Sequence, residues 1–350
     1  MIKYFLFILF IFSFNNLSAM DKKPYHHIYK DGKLHAFRNL EGGPKRDPNF
    51  KWDWKVFREE KKKLKIDYPP EHVIDKQIVL KNLEKHKSDS YVMWLDHASF
   101  IIKLGDTTII TDPVFEKIYG PMIFGPKKFI ESPLTLKEIP KINLFLLTHN
   151  HYDHMSIRTI KNFPYKNAKV LAPLKLGKYF TRNGYKKDTV KEMDWFDKIK
   201  INDEITVTML PSQHWSKRWI WGDGNTNRSL WGSFLIEYKD IKLFFACDTG
   251  YSNIYKMMGD KYGPIDIIFI NSGAYNFDAI TGKKDFSIFH TNPEEALKVS
   301  KDIKAKKVIP MHYGSFLLGL EGQNSDGPIN EPRNRLLNNA QKFGFEKKDI

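Results

Sequence analysis

An α+β sandwich is expected for this 350-residue chain on three grounds. Short β-branched and apolar segments stand next to one another as hairpins, a second group of similar segments follows, and helical stretches fall between and after them. Strands that pair with their sequence neighbours, with helices gathered late, suit packed sheets better than a doubly wound parallel sheet.

The first strands are expected at 91–95, 100–104 and 107–111, the last two joined by a Gly105-Asp106 turn. The second group covers 143–148, 169–172, 205–210, 233–238 and 242–246. Helical stretches run from Ser156, Leu174, Tyr251, Pro293 and Glu331. The start at Pro293 is the clearest, because proline suits the first turn and Glu294 and Glu295 suit the positive helix end. A strand-rich half followed by another with helices is the pattern of an old duplication.

Composition narrows the class. Hydrophobic residues make up 41% and aromatics 14%, which excludes a disordered tail, a collagen-like fibre or a coiled coil. A single cysteine, Cys247, excludes an internal disulfide framework and a cysteine-rich zinc site. The formal charge of +15 favours anionic partners such as phosphates, nucleic acid or lipid headgroups, although a solvated lysine surface accounts for the same excess.

At the N-terminus, Lys3 precedes an apolar run over 4–11 and then Asn15, Asn16, Leu17, Ser18 and Ala19. This reads as a signal peptide over 1–19, which places the protein in the periplasm or outside the cell. Leu17 stands where a small side chain is normal, so an uncleaved membrane anchor is the alternative. Residues 20–90 are expected to form a loop-rich arm with one short helix, closed by Pro69-Pro70 and packed on a main domain over 91–350. Adjacent residues on a strand point apart, so His26 and His27 are read as surface residues rather than ligands.

The chemistry is concentrated just past the strand at 143–148. His149-Asn150-His151-Tyr152-Asp153-His154 places three of the chain's 12 histidines and a carboxylate within six residues. Imidazoles and a carboxylate are the donors that borderline divalent ions such as Zn²⁺ prefer. This H-x-H-x-D-H string resembles the metallo-β-lactamase fold superfamily, and the whole loop looks like the branch containing N-acyl-phosphatidylethanolamine-hydrolysing phospholipase D. Further matching strings are Trp94-Leu95-Asp96-His97-Ala98-Ser99, Thr111-Asp112-Pro113, Gly125-Pro126-Lys127-Lys128, Gln213-His214-Trp215, Leu230-Trp231-Gly232-Ser233, Asp248-Thr249-Gly250-Tyr251, His290-Thr291-Asn292-Pro293 and Met311-His312-Tyr313-Gly314.

The resemblance implies a four-layer αββα sandwich carrying two Zn²⁺ ions, a site type that also accepts Mn²⁺ or Fe²⁺. It implies that His149, His151 and His214 hold one ion, that Asp153, His154 and His312 hold the other, and that Asp248 bridges them. Two such ions about 3.5–4 Å apart can share a water and lower its pKa, so a metal-bridging hydroxide is the expected nucleophile. Asp153, Asp248 and His290 are the expected catalytic residues. Asp112, His97, Trp215 and Trp231 are expected to support the ligands or meet substrate, the tryptophans together with Lys217, Arg218, Trp219, Trp221 and Arg228. Asp96 and Cys247 each replace a glycine usual in the branch, and Asp96 is expected to add negative charge near the cleft.

The expected function is therefore a metal-dependent phosphodiesterase cleaving N-acyl-phosphatidylethanolamine to phosphatidic acid and N-acylethanolamine, with peripheral contact to a membrane. Another phosphodiester, a lactone or a β-lactam is the alternative substrate, and a basic nucleic-acid-binding protein is the alternative of another class. Nucleic acid is not the expected partner, because the chain lacks the further motifs of the superfamily's nucleases.

Overall fold

The computed structural model describes residues 23–41, 53–64, 66–121, 125–218, 226–277, 288–322 and 327–350. The leader expected over 1–19, Trp52 of the arm, and Trp219 and Trp221 of the aromatic stretch lie outside the described residues.

The arm departs from the loop-rich segment expected. It opens with an antiparallel hairpin, β1 (His27–Lys30) and β2 (Lys33–Phe37). Asp31 and Gly32 turn the hairpin at φ of 50° and 71°, the left-handed pair that a two-residue turn of this hand requires. Asp-Gly between two strand-prone runs was the signal for it. Nor are His26 and His27 surface residues: their side chains are 6% and 8% exposed, and both face Asp194. Two helices follow rather than one. α1 (Trp54–Lys63) is capped by Asp53, whose carboxylate accepts from the Lys55 and Val56 amides, and α2 (Lys76–Lys85) is capped by Asp75.

Two six-stranded sheets then form in succession. The first comprises β3 (Tyr91–Asp96), β4 (Ser99–Leu104), β5 (Thr107–Thr111), β6 (Leu144–Leu146), β7 (Lys169–Pro173) and β8 (Val190–Met193), in chain order across the sheet. The second runs from β9 (Lys198–Lys200) through β10 (Ile205–Leu210), β11 (Ser233–Tyr238), β12 (Ile241–Cys247) and β13 (Ile265–Asn271) to β14 (Ala305–Met311). In each sheet an antiparallel meander gives way to parallel strands, at β5–β6 in one and β12–β13 in the other. The two halves thus repeat one plan, the pattern of duplication read in the sequence.

Strand alternation builds the layers. From β4, Phe100, Ile102 and Leu104 enter the core between the sheets, while Ile101 faces the helical layer of its own sheet. From β12, Leu243 and Phe245 enter the same central core, while Phe244 and Ala246 face the opposite helical layer. The outer layers are α3 (Ile157–Asn162) and α4 (Gly177–Thr181) on the first sheet, and α5 (Ile254–Tyr262), α6 (Pro293–Asp302) and α7 (Gly327–Asn339) on the second. The result is the four-layer αββα arrangement. Asn292 caps α6 reciprocally with Glu295, so the helix start expected at Pro293 has the capping chemistry its sequence carries.

Phe245 locks the sheets together, its ring centroid 6.2 Å from that of Phe100 and 5.9 Å from that of Phe269. Phe245→Ala should cost about 3–5 kcal/mol of unfolding free energy, measured by denaturant titration. A cost below about 1 kcal/mol would contradict this packing.

Candidate metal centre

Several strands end at one edge of the sandwich, and the candidate ligands follow those ends. His149 lies three residues past β6, His214 four past β10, Asp248 immediately after β12 and His312 immediately after β14. His97 sits in the turn between β3 and β4, and its carbonyl accepts from the His312 amide at 3.3 Å, so two sheets are laced together at the site. His97, Asp112, Cys247 and His312 have φ of 43°, 35°, 56° and 70°. Left-handed backbone at non-glycine residues is costly, and its recurrence around one rim marks a region where the fold imposes side-chain direction. At Cys247 it also explains why glycine suits that position.

Asp248 is the hub. Its Oδ2 lies 2.9 Å from His312 Nε2, 3.1 Å from His154 Nε2, 3.8 Å from His214 Nε2, and 3.9 Å from both His149 Nε2 and His290 Nδ1. On one side, His151 Nδ1 is 2.9 Å from His149 Nε2 and 3.2 Å from His214 Nε2. On the other, Asp153 Oδ2 is 3.4 Å from His312 Nε2, 3.5 Å from His154 Nε2 and 3.1 Å from His97 Nε2. Donors therefore gather on both sides of Asp248, His149, His151 and His214 on one side and His97, Asp153, His154 and His312 on the other, the latter reaching Asp248 through His154 and His312.

These donors fit divalent cations. Both Asp248 oxygens, His154 Nε2 and His312 Nε2 are buried without an aligned hydrogen bond among the described residues. Buried carboxylate oxygens are costly unless paired, and donor atoms converging side by side are what a shared cation needs. Burial pushes His151, His214 and His290 down to about 3, so each offers a neutral lone pair at pH 7. For His312, burial is outweighed by the Asp248 carboxylate, which lifts it to about 9; His154 is raised for the same reason. A cation held by the same atoms would compete with protons on these two rings.

Three of the far ring nitrogens are tethered. His154 Nδ1 bonds Asp112 Oδ2 at 2.9 Å, His214 Nδ1 bonds the Phe289 carbonyl at 3.0 Å, and His149 Nδ1 meets Thr148 Oγ1 at 2.9 Å. Asp112 also accepts from the Thr148 amide at 2.8 Å and from the Cys247 thiol at 3.1 Å. Burial and the Asp112 carboxylate hold that thiol well above its usual range, so it remains a donor. Such outer partners fix which nitrogen faces the ion. The arm contributes here too: Asn39 clamps His214, donating to its carbonyl at 2.9 Å and accepting from its amide at 3.1 Å. Asn39 carried no signal in the sequence, because a clamp across 175 positions has no local pattern.

Other expectations need correcting. Trp231 does not face a substrate: it is fully buried in the core between the sheets, its indole N–H donating to the Ser212 carbonyl. Arg218 is spent on the ligand loop, donating to the Asn150 and Met155 carbonyls and lying 4.3 Å from the Tyr152 ring centroid. Asp96 brings no free charge to the cleft, because Lys128 Nζ at 2.6 Å and the Tyr119 hydroxyl at 2.8 Å hold its carboxylate. Trp215, by contrast, stands edge-on to His151 with centroids 4.5 Å apart, beside the cluster.

The Asp96–Lys128 pair is 1% and 5% exposed, so breaking it leaves a buried charge alone. Lys128→Met should cost about 3–5 kcal/mol, and adding Asp96→Asn should restore much of it, read as melting temperature. Equal losses in the single and double variants would contradict this pairing.

A family model described as Beta-lactamase superfamily domain matches residues 107–313. An uncharacterized protein of Mycobacterium tuberculosis is 30% identical over 255 residues, 71% of this chain and 64% of that protein. The matched part of the chain thus spans under two thirds of that relative's length. N-acyl-phosphatidylethanolamine-hydrolyzing phospholipase D 1 of Caenorhabditis elegans is 29% identical over 243 residues, 67% of this chain and 66% of the relative. A metallo hydrolase from the archaeon Ignicoccus hospitalis shares the fold at a TM-score of 0.51 and 17% identity, over 73% of this chain and 92% of its own. With the family match running from β5 to the residues just past β14, this chain belongs to the beta-lactamase superfamily and has its metallo-β-lactamase fold.

Proposed function

We propose that the protein is a metal-dependent hydrolase that cleaves a phosphodiester, with N-acyl-phosphatidylethanolamine as the substrate. The observation that carries the hydrolase reading is the Asp248 carboxylate surrounded by five imidazole nitrogens within 3.9 Å at the open edge of the sandwich. The substrate class is supported by the nematode relative, whose match takes in two thirds of this chain.

His149, His151 and His214 would hold one zinc ion and Asp153, His154 and His312 the other, with Asp248 between; Mn²⁺ or Fe²⁺ suits the same donors. Bound there, a metal pair supplies Lewis acidity and water of lowered pKa. The residues supply the rest. Asp153, held by His97 on one side, would orient a water, while His290 approaches Asp248 from the α6 side and would meet a phosphate oxygen. Water adds across the P–O bond to the ethanolamine oxygen: its oxygen bonds to phosphorus, that P–O bond breaks, and a proton goes to the departing N-acylethanolamine. Phosphatidic acid remains.

Residues 1–19 would export the chain to the periplasm or beyond, leaving 20–90 as an arm on a hydrolase domain over 91–350. Among the described residues no helix is long and apolar enough to cross a membrane, and contact with lipid would be peripheral.

Mass spectrometry of products from N-acyl-phosphatidylethanolamine, a simple phosphodiester, a lactone and a β-lactam tests the reading. The zinc-loaded parent should release N-acylethanolamine and phosphatidic acid, and Asp248→Ala should lose more than the roughly 100-fold typical of an outer partner. Turnover of the lactone or lactam alone would overturn the phosphodiester reading, and no turnover by metal-loaded protein would overturn the hydrolase.

A further inference from the structure

We propose that His26, His27 and Asp194 form a separate site for one divalent cation of the zinc class, stapling the N-terminal hairpin to the segment that joins the two sheets. The three residues form a donor cluster that shares no member with the Asp248 centre.

His26 Nε2 lies 2.6 Å from Asp194 Oδ1, and His27 Nε2 lies 2.8 Å from Asp194 Oδ2, so two imidazoles address the two oxygens of one carboxylate. Neighbouring side chains on a regular strand diverge, but His26 precedes β1 in a turn closed by the His27 amide on the Pro24 carbonyl at 3.0 Å. That turn brings both rings to one side, with centroids 4.4 Å apart at 71°. Each ring is backed. His26 stacks on Trp195 at 4.4 Å, and His27 packs edge-on to Phe37 at 5.4 Å with its Nδ1 3.3 Å from the Tyr29 hydroxyl. Asp194 is fixed as well, accepting from the Trp195 amide at 2.8 Å.

The feature that asks for a ligand is His27 Nε2. The side chain is 8% exposed, yet this nitrogen has no aligned hydrogen bond among the described residues, although a carboxylate oxygen is 2.8 Å away. Atoms that sit side by side without pointing at one another are arranged as ligands sharing a third point. Burial pushes His27 below its usual range against the pull of Asp194, so its ring is a neutral donor at pH 7. Asp194 is held below its usual range, its burial outweighed by the His26 and His27 rings and the Trp195 amide beside it.

Two imidazoles and a carboxylate are a zinc-class donor set, and the 21% exposure of Asp194 leaves an approach for the ion and for a water as fourth ligand. Ordinary ligand lengths of about 2.0–2.1 Å put tetrahedral donors roughly 3.3 Å apart, so the 2.6 and 2.8 Å separations would open by about 0.5–0.7 Å on loading. The staple joins positions 168 residues apart in the chain, on the arm whose Asn39 clamps His214.

Full-length protein, stripped by a chelator and dialysed, would be titrated with Zn²⁺ and its bound metal counted. His27→Ala and Asp194→Asn should each hold one equivalent fewer than the parent, with unchanged far-UV circular dichroism and a smaller rise in melting temperature on zinc loading. Asp194→Asn preserves volume and keeps an acceptor for the Trp195 amide, so it distinguishes a lost ligand from a lost fold. Asp248→Ala, titrated alongside, reports the other centre separately. Equal zinc equivalents in the parent and both variants would overturn the proposal and leave a hydrogen-bonded histidine–aspartate cluster.

Discussion

Burial of one carboxylate, Asp248, among five imidazole nitrogens is the constraint around which the rest of this structure is arranged. An ionised carboxylate taken out of water is expensive unless positive charge meets it. Protons on His154 and His312 can meet it, and so can divalent cations. Either way the rings must come from distant parts of the chain and be held against their own repulsion. Two sheets with strand ends gathered at one edge solve that problem. They deliver Asp248 and His312 directly from strand ends and His149 and His214 a few residues later.

Precision comes from a second ring of contacts. Asp112 holds His154, the Thr148 amide and the Cys247 thiol at once, so the segments after β5 and β6 and the end of β12 share one anchor. The left-handed backbone at Asp112, Cys247 and His312 is the conformational cost of aiming these side chains, and the packed core between the sheets sustains it. The arm takes part through Asn39, which grips both backbone groups of His214. A change far from the ligands, in the hairpin, can therefore loosen one of them.

Much of this was legible in the sequence because the signals are local. The hairpins over 91–111 show apolar and β-branched runs around a Gly-Asp turn, and the loop at 149–154 concentrates donors just past an apolar strand. The start of α6 advertises itself by Asn292, Pro293 and two glutamates. What stayed hidden depends on distant partners. His26 and His27 looked exposed because Asp194 lies 168 residues away, and Asp96 looked like free charge because Lys128 and Tyr119 arrive from a later loop. Trp231 looked like a cleft residue beside basic neighbours, but the residues that bury it come from both sheets. The β1–β2 hairpin is different: its Asp31-Gly32 turn is a local signal, set among polar residues that mask the strands on either side.

The account turns on cations gathered at Asp248, and anomalous X-ray scattering from crystals of the zinc-loaded protein, collected on both sides of the zinc absorption edge, addresses it most directly. Two peaks about 3.5–4 Å apart, one near His149, His151 and His214 and the other near Asp153, His154 and His312, with Asp248 touching both, are the predicted result. The absence of any peak within coordination distance of Asp248 in zinc-loaded crystals would contradict it, and would leave protonated His154 and His312 as the sole counter-charge to the buried carboxylate.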